Sequence, residues 1–144
     1  MQLNFPSFPH QLKKINNSIS IWDVIRKKYV ALAPEEWVRQ HLIHFLIGQG
    51  YPKGLIQVEI GHRYNSLQKR SDVVVFGRDG APYLLVECKA PNVPLTQTVF
   101  EQAIWYNTQV KASYLMMTNG MEHLYYRCWP EGWEPLQSLP VYPD

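Results

Sequence analysis

The sequence lacks several features on which whole classes of protein depend. No apolar run approaches the roughly 18 residues that a membrane-spanning helix requires, so no membrane role is expected. There are only two cysteines, Cys88 and Cys128, both in or beside apolar runs, and no secretion signal is recognisable. These features favour reduced core thiols in a cytoplasmic protein. Also missing are an internal repeat, a Gly-rich phosphate loop, a nucleotide-binding motif and a Ser/His/Asp arrangement.

Charge is sparse as well. Charged residues make up 18% of the chain, and 14 Lys and Arg against 12 Asp and Glu leave a formal net charge of +2. A protein that binds nucleic acid through an overall strongly basic surface is therefore excluded, and affinity for phosphate must come from a local patch. Hydrophobic residues make up 46%, which is typical of a globular protein.

The length of 144 residues predicts one domain with three parts. Residues 1–20 have two prolines and no sustained period, which predicts an extended N-terminal arm. Residues 21–128 are expected to form the core, and the proline-containing residues 129–144 an irregular C-terminal tail. The basic run Arg26 to Lys28 has two explanations, a contact with phosphates or, more commonly, a solvated charged face.

Two strand-like runs carry an unusual set of charges. Residues 71–76 and 83–91 are rich in β-branched and apolar residues and are separated by a Gly-containing turn, which predicts an antiparallel hairpin. The hairpin brings Asp72, near the start of one strand, close to Glu87, near the end of the other. Glu87 and Lys89 alternate with Cys88 and therefore share a face.

Two carboxylates and one ammonium at one end of a sheet suit a hard divalent cation such as Mg²⁺, which takes oxygen ligands. The alternative is an exposed, charged strand edge that limits aggregation. Around the mouth of this site we expect three basic residues, which would bind phosphates of a ligand or pair with local carboxylates. They are Arg63, Lys69 and Arg70.

Two helices are predicted, over residues 34–48 and about 96–110. Pro34 suits a first helical turn, and Glu35 and Glu36 complement the positive end of the helix dipole. In the second helix Gln102 and Tyr106 are four residues apart and share a face. With strands at about 55–61, 71–76, 83–91, 113–118 and 122–128, the chain is predicted to be α/β, with a central mixed five-stranded sheet flanked by α-helices.

Smaller features complete this prediction. Asn119 and Gly120 are typical of a primed hairpin turn between the last two strands. His41 and His44 lack the spacing of a zinc motif and are interpreted as structural. His123 is interpreted as a surface strand residue.

Several of these segments resemble the PD-(D/E)xK nuclease superfamily, in the form with a lone Asp in one strand and Glu-Xaa-Lys in the next. The matching residues are Asp72 and Glu87-Cys88-Lys89. More closely, the chain resembles the N-terminal nuclease domain of the type I restriction enzyme R subunit. The similar segments are residues 34–40, 70–76, 86–91, 102–106 and the Thr-Asn-Gly at 118–120.

The resemblance implies a restriction-endonuclease-like fold and metal-dependent hydrolysis of phosphodiester bonds in DNA. It implies that Asp72 and Glu87 ligate Mg²⁺, or Mn²⁺ as a substitute, with the backbone carbonyl of Cys88 as a further ligand. Lys89 would position or activate water. The remaining implied site residues are Gln102 and Tyr106, which would support the phosphate, and an acidic residue of the first helix, either Glu36 or Glu35.

The resemblance leaves partners and alternative functions open. Type I R subunits carry an ATP-driven motor, which 144 residues cannot hold. The chain is therefore expected to act alone, as an excised domain, with a separate motor or specificity subunit, or as a homodimer, and with low activity in the absence of a partner. The alternative functions are a non-catalytic DNA-binding or assembly module and a small-molecule hydrolase that uses the same metal site.

Overall fold

The computed structural model describes residues 2–58 and 73–144. Within these ranges the chain forms nine strands, two helices and a short 3₁₀ turn at Lys53–Leu55. In chain order the elements are β1 (Leu12–Ile15), β2 (Ser18–Asp23), β3 (Lys28–Ala31), α1 (Pro34–Gly48), β4 (Ile56–Val58), β5 (Val73–Phe76), β6 (Pro82–Cys88), α2 (Gln97–Val110), β7 (Tyr114–Thr118), β8 (His123–Trp129) and β9 (Gly132–Leu136). No helix in the described ranges is long and apolar enough to cross a membrane.

The central sheet is mixed, as predicted, but it has six strands in the order β4-β5-β6-β7-β8-β9 rather than five. All neighbours are antiparallel except β6 and β7, which are parallel and connected through α2. The additional strand is β9, in the segment expected to be an irregular tail. The turn after Trp129 reverses the chain, so β9 pairs with β8, and Pro135 is tolerated because β9 is an edge strand.

The expected N-terminal arm is also partly a sheet. Strands β1, β2 and β3 form a separate antiparallel sheet in that order. The turn between β1 and β2 consists of Asn16 and Asn17, whose φ angles of 51° and 66° lie in the left-handed region. Asparagine tolerates that region better than most residues, and two such residues in succession form the hairpin turn that matches strand twist. The prediction of an extended arm over residues 1–20 did not take this Asn-Asn turn into account.

The two helices cover opposite faces of the central sheet. Residues Val38, Leu42 and Leu46 of α1 belong to one buried cluster, together with Leu84 and Val86 of β6. Phe100 and Ala103 of α2 belong to a second cluster, with Leu85 of β6 and Met117 of β7. Alternate residues of β6 therefore face different layers, and each fully buried aliphatic side chain contributes roughly 1.5–3 kcal/mol to stability. The predicted α/β layering and both helices are confirmed.

The turn between β7 and β8 differs from the primed two-residue turn expected there. Thr118 pairs with His123, so four residues connect the strands. The side-chain Oδ1 of Asn119 accepts hydrogen bonds from the backbone N–H of Met121 at 3.0 Å and of Glu122 at 2.8 Å. This local bonding stabilises a wider loop than the Asn-Gly pattern alone indicates.

The first residues of the chain pack against this loop. The backbone N–H of Asn4 donates to the carbonyl of Gly120 at 2.7 Å. His123 is half-buried rather than a plain surface residue, because its ring nitrogens lie 2.8 Å from Thr118 Oγ1 and 2.7 Å from the Asn4 carbonyl. The rings of His41 and His44, both on α1, contact the ring of Phe8, and burial lowers the pKa of both histidines. Their expected structural role agrees with this packing.

Tyrosine hydroxyls hold the last residues of the chain. Tyr51 donates to the carbonyl of Pro140, and Tyr83 donates to the carbonyl of Val141 at 2.8 Å. Tyr142 is buried and donates to the carbonyl of Phe76 at 2.9 Å. These bonds attach the segment after β9 to the central sheet although the segment has no regular secondary structure.

We predict that Gly120→Ala destabilises the protein by about 1–3 kcal/mol, because a side chain at a left-handed φ of +88° is strained. An added Cβ would also lie 3.0 Å from Leu3 Cδ2 and 3.1 Å from Val38 Cγ2. Urea unfolding followed by circular dichroism measures the change. Gly80→Ala is the matched control, because φ is +87° there but no atom lies within 4 Å of the added Cβ. Equal losses in the two variants would contradict a packing role for Gly120.

Candidate functional site

The candidate site is built on the end of β6. Glu87 pairs with Met117 in the parallel register, and the backbone N–H of the next strand-end residue, Lys89, donates to the carbonyl of Thr118 at 2.9 Å. Both ends of the Glu-Xaa-Lys segment are thus fixed by β7. The parallel strand continues the hydrogen bonding one residue beyond β6 and thereby determines where the Lys89 side chain leaves the sheet.

The two charged side chains of this segment lie together. Lys89 Nζ is 3.5 Å from Glu87 Oε2, and the Glu87 side chain is 5% exposed while that of Lys89 is 24% exposed. A carboxylate this deeply buried is costly unless a charge or hydrogen bonds compensate it, and the ammonium supplies the opposite charge. Lys89 meanwhile keeps part of its surface in solvent, so its remaining N–H groups can contact water or a ligand.

Cys88 faces away from this pair. Its side chain is 1% exposed and packs in the cluster under α1, as expected for a reduced core thiol. The Cys88 side chain therefore takes no part in a site on the Glu87 face, and a role for its backbone carbonyl as a metal ligand stays a prediction.

Gln102 and Tyr106 lie on α2, the helix that covers the Glu87 face, and they differ in environment. Tyr106 is 3% exposed and packs in the cluster with Val74 and Leu85. Gln102 is exposed. The helix therefore anchors itself through Tyr106 and leaves the Gln102 amide accessible to a ligand, although the sequence treated the two residues as a pair with similar roles.

Glu36 lies in a network of buried charges that joins α1 to the sheet β1–β3. Its Oε1 accepts from Arg39 at 2.8 Å, and its Oε2 accepts from Arg26 at 2.7 Å and from Gln40 at 2.9 Å. Glu35 is more exposed and pairs with Arg39 at 2.7 Å. Glu36 is thus the buried one of the two glutamates, and guanidinium and amide groups donate hydrogen bonds to its carboxylate. A role for it as a further metal ligand stays a prediction.

Asp23 completes this network, and the sequence analysis missed it. Its Oδ1 accepts from the backbone N–H groups of Ile25 and Arg26, and its Oδ2 accepts from Arg26 Nε at 2.6 Å and Gln40 Nε2 at 3.0 Å. Burial raises the pKa of Asp23, but the hydrogen bonds and charge of Arg26 and the Gln40 amide lower it by more, so the pKa is below its ordinary value. An Asp followed within three residues by an Arg at a strand end was the available signal.

The Thr-Asn-Gly segment has a structural role next to the candidate site. Thr118 receives the Lys89 N–H, and Asn119 Nδ2 donates to the carbonyl of Val93 at 2.9 Å. The segment therefore braces the chain on both sides of the loop that follows Lys89. From the sequence, this segment is interpreted as a hairpin turn and as a mark of family resemblance, and its contact with the loop after Lys89 is not predicted.

Four predicted site residues, Asp72, Arg63, Lys69 and Arg70, lie outside the described residues. Asp72 immediately precedes Val73, which pairs with Val86, the residue before Glu87. Across residues 2–58 and 73–144, no three His, Cys, Asp or Glu side chains are grouped so that they could hold a metal ion. At the end of β6 the described part supplies the buried carboxylate of Glu87, and carboxylate oxygens suit Mg²⁺ or Mn²⁺ better than softer metals.

The family model described as the N terminus of the type I restriction enzyme R protein matches residues 34–140. Among solved structures, the chain is similar to a fragment from Vibrio vulnificus YJ016 assigned to the HsdR subunit of a type I restriction enzyme, with a TM-score of 0.57 and 23% identity. The match covers 76% of this chain and 24% of that one. None of the curated proteins is significantly similar. The structural likeness, at this identity, shows a shared fold.

We predict that Asp23→Asn lowers the free energy of unfolding at neutral pH by about 3–5 kcal/mol, because it leaves Arg26 with an incomplete set of buried partners. Since the folded-state pKa of Asp23 is lowered, its stabilisation is present above about pH 4 and is lost as the pH falls through that lowered pKa. Denaturant unfolding of both proteins from neutral to acidic pH should therefore show a difference that shrinks below about pH 4.

The exposed Glu131, in the turn before β9, offers a matched control, and Glu131→Gln should leave stability nearly unchanged. A difference between wild type and Asp23→Asn that is constant across the acidic range would contradict the assigned role of the Asp23 charge.

Proposed function

The chain belongs to the family of type I restriction enzyme R protein N termini, and on that premise we propose that it is a metal-dependent nuclease that hydrolyses phosphodiester bonds in DNA. The observation that supports the proposal best is the pair at the end of β6, a buried Glu87 carboxylate with the Lys89 ammonium 3.5 Å away. A purely structural strand end rarely buries a carboxylate, because charged residues are seldom fully buried without a function or a partner.

We assign the metal-binding role to oxygen donors at this strand end. Asp72, Glu87 and the backbone carbonyl of Cys88 would hold Mg²⁺, with Mn²⁺ as a substitute. The cation, when bound, would supply Lewis-acid stabilisation of the charge that develops on the scissile phosphate. Glu36 would act as an additional carboxylate only if its ion pairs with Arg26 and Arg39 were exchanged, which makes it the least favoured of the proposed ligands.

The other residues act through hydrogen bonds and charge. Lys89 is proposed to orient the attacking water and to offset negative charge at the phosphate, through its partly exposed ammonium group. The exposed amide of Gln102 would donate to a phosphate oxygen, and the buried ring of Tyr106 would hold α2 at the distance that this contact needs. Arg63, Lys69 and Arg70 are proposed to contact the DNA backbone near the site.

The relative of known structure is much longer than this chain, which spans 24% of its length. We therefore propose that full activity needs a partner, either a separate motor or specificity subunit or a second copy of the chain. The low net charge of +2 agrees with weak affinity for DNA in the absence of a partner.

The test is nicking of supercoiled plasmid with Mg²⁺ or Mn²⁺ by wild type and by Glu87→Gln and Lys89→Gln. We expect the wild type to nick the plasmid only when metal is present, and each substitution to lower the rate by at least about 100-fold, because it removes a charge that acts in the transition state. Glu101→Gln and Lys111→Gln are matched controls at exposed positions and should nick at the wild-type rate.

Calorimetric titration of Mn²⁺ into the same proteins separates the remaining possibilities. Metal binding that Glu87→Gln abolishes, without nicking by wild type, would agree with a site that needs a partner. Wild type that neither binds metal nor nicks DNA would overturn the proposal and favour a non-catalytic DNA-binding or assembly module.

A further inference from the structure

The positive charge of the chain is concentrated in its first three strands. Residues 1–31 contain five of the 14 basic residues and one of the 12 acidic residues, so this part has a formal net charge of +4 and residues 32–144 have −2. The one acid, Asp23, is buried and paired with Arg26. Four lysines remain, and all are exposed; we call them the sheet lysines: Lys13, Lys14, Lys27 and Lys28.

Lys13 and Lys14 lie on β1, in a hairpin that is open to solvent, whereas Lys27 and Lys28 lie in the β2–β3 turn and at the start of β3. Every residue from position 11 to position 19 is exposed, including all of β1 and the Asn16–Asn17 turn. Only the other end of β2, from Ser20 to Asp23, contacts the rest of the protein closely enough to be largely buried. The β1–β2 hairpin is thus a two-stranded ribbon, and B-DNA admits such a ribbon into its major groove.

The strand register distributes the charges over the ribbon. Lys13 shares a face with Trp22 and Tyr29, and its Nζ lies 5.4 Å from the centre of the Tyr29 ring. Lys14 and Lys28 are on the other face, because they are opposite Ile19 and Asp23, which alternate with Trp22 along β2. A ribbon with cations on both faces can contact the phosphates on both sides of a groove.

The base of this sheet is fixed to the helix α1. Arg26 donates to Glu36 at 2.7 Å and Gln40 donates to Asp23 at 3.0 Å, so the β2–β3 turn and α1 are connected by buried, charge-assisted hydrogen bonds. α1 in turn packs on the β6 face opposite Glu87. A duplex held by the sheet lysines would therefore be held at a constant position relative to the candidate site.

We propose that the sheet β1–β3 is a DNA-backbone contact surface, which binds duplex DNA through the sheet lysines without regard to sequence. The family match begins at residue 34, so this surface precedes the matched domain and adds to it. The inference rests on the proposed function for the identity of the ligand as DNA, and it goes further by assigning binding to residues away from the metal-binding strands. Exposed Leu12 and Ile19 would contact the sugars of the DNA backbone.

The test is binding of a labelled duplex, followed by fluorescence anisotropy in the presence of chelator, so that binding is measured without cleavage. One variant carries Lys13→Gln, Lys14→Gln, Lys27→Gln and Lys28→Gln. The control variant removes the same number of charges elsewhere, at the exposed residues Lys53, Arg78, Lys111 and Arg127, each changed to Gln. Circular dichroism melting of both variants verifies that each is folded.

We expect the sheet-lysine variant to bind at least about tenfold more weakly than wild type, with a slope of log affinity against log salt that is smaller by about 3–4, since each lost phosphate contact lowers it by about 0.9. The control variant should retain most of the affinity and the slope. Equal losses in the two variants, no loss in the first, or no binding by wild type at low salt would overturn the inference.

The ligand class and the catalytic proposal are tested separately. Tighter binding to a duplex RNA of the same sequence would overturn the assignment to DNA. The same holds if the chain captures a protein instead of DNA and if Leu12→Ser and Ile19→Ser abolish that capture. Wild type that binds duplex through the sheet lysines but never cuts it would leave this inference intact and contradict the nuclease proposal. Metal-dependent nicking by a sheet-lysine variant that keeps the wild-type affinity for DNA would contradict this inference and leave the nuclease proposal intact.

Discussion

The parallel pairing of β6 with β7 is the constraint on which the candidate site depends. Strand β6 is apolar on both faces, so helices must cover both of them, and its partner β7 fixes the backbone of Glu87 and Lys89 on one side. A parallel neighbour requires a crossover, and α2 supplies it. That crossover places the helix with Gln102 and Tyr106 over the face on which Glu87 lies. One pairing thus determines the sheet order, the position of α2 and the residues that can reach the site.

The protein buries carboxylates in two different ways. Asp23 and Glu36 are held by guanidinium and amide donors, and the result is a rigid connection between α1 and the N-terminal sheet. Glu87 is buried beside an ammonium that is partly exposed, at a distance longer than a direct hydrogen bond. The first arrangement connects two elements through buried groups, whereas the second keeps a partly exposed cation next to a buried carboxylate. This contrast is the physical basis for assigning chemistry to β6 and a structural role to the network of Asp23.

The predictions that the structure corrects concern the β7–β8 turn and the strands near both ends of the chain. The Asn119–Gly120 pattern indicates a tight turn, but the Asn119 side chain bonds two backbone groups and widens the loop. Residues 1–20 and 129–144 have no strong apolar period, so hydrophobic periodicity alone did not reveal their strands. Strands β1 and β9 form because the neighbouring strands β2 and β8 offer backbone N–H and C=O groups for pairing. Whether such a neighbour is present depends on the fold and not on the local sequence.

By itself the sequence determined both helices, the antiparallel β5–β6 pair, the parallel crossover and the placement of Glu87 and Lys89 on one face, because these follow from periodicity, capping and strand alternation. It also marked the family through segments that recur at the right spacing. Only the tertiary structure decided that Glu36 pairs with guanidinium groups and Glu87 with a partly exposed lysine. It also decided that the N-terminal sheet that carries the basic residues is attached to α1. Those outcomes depend on contacts between residues far apart in the chain, which local patterns do not encode.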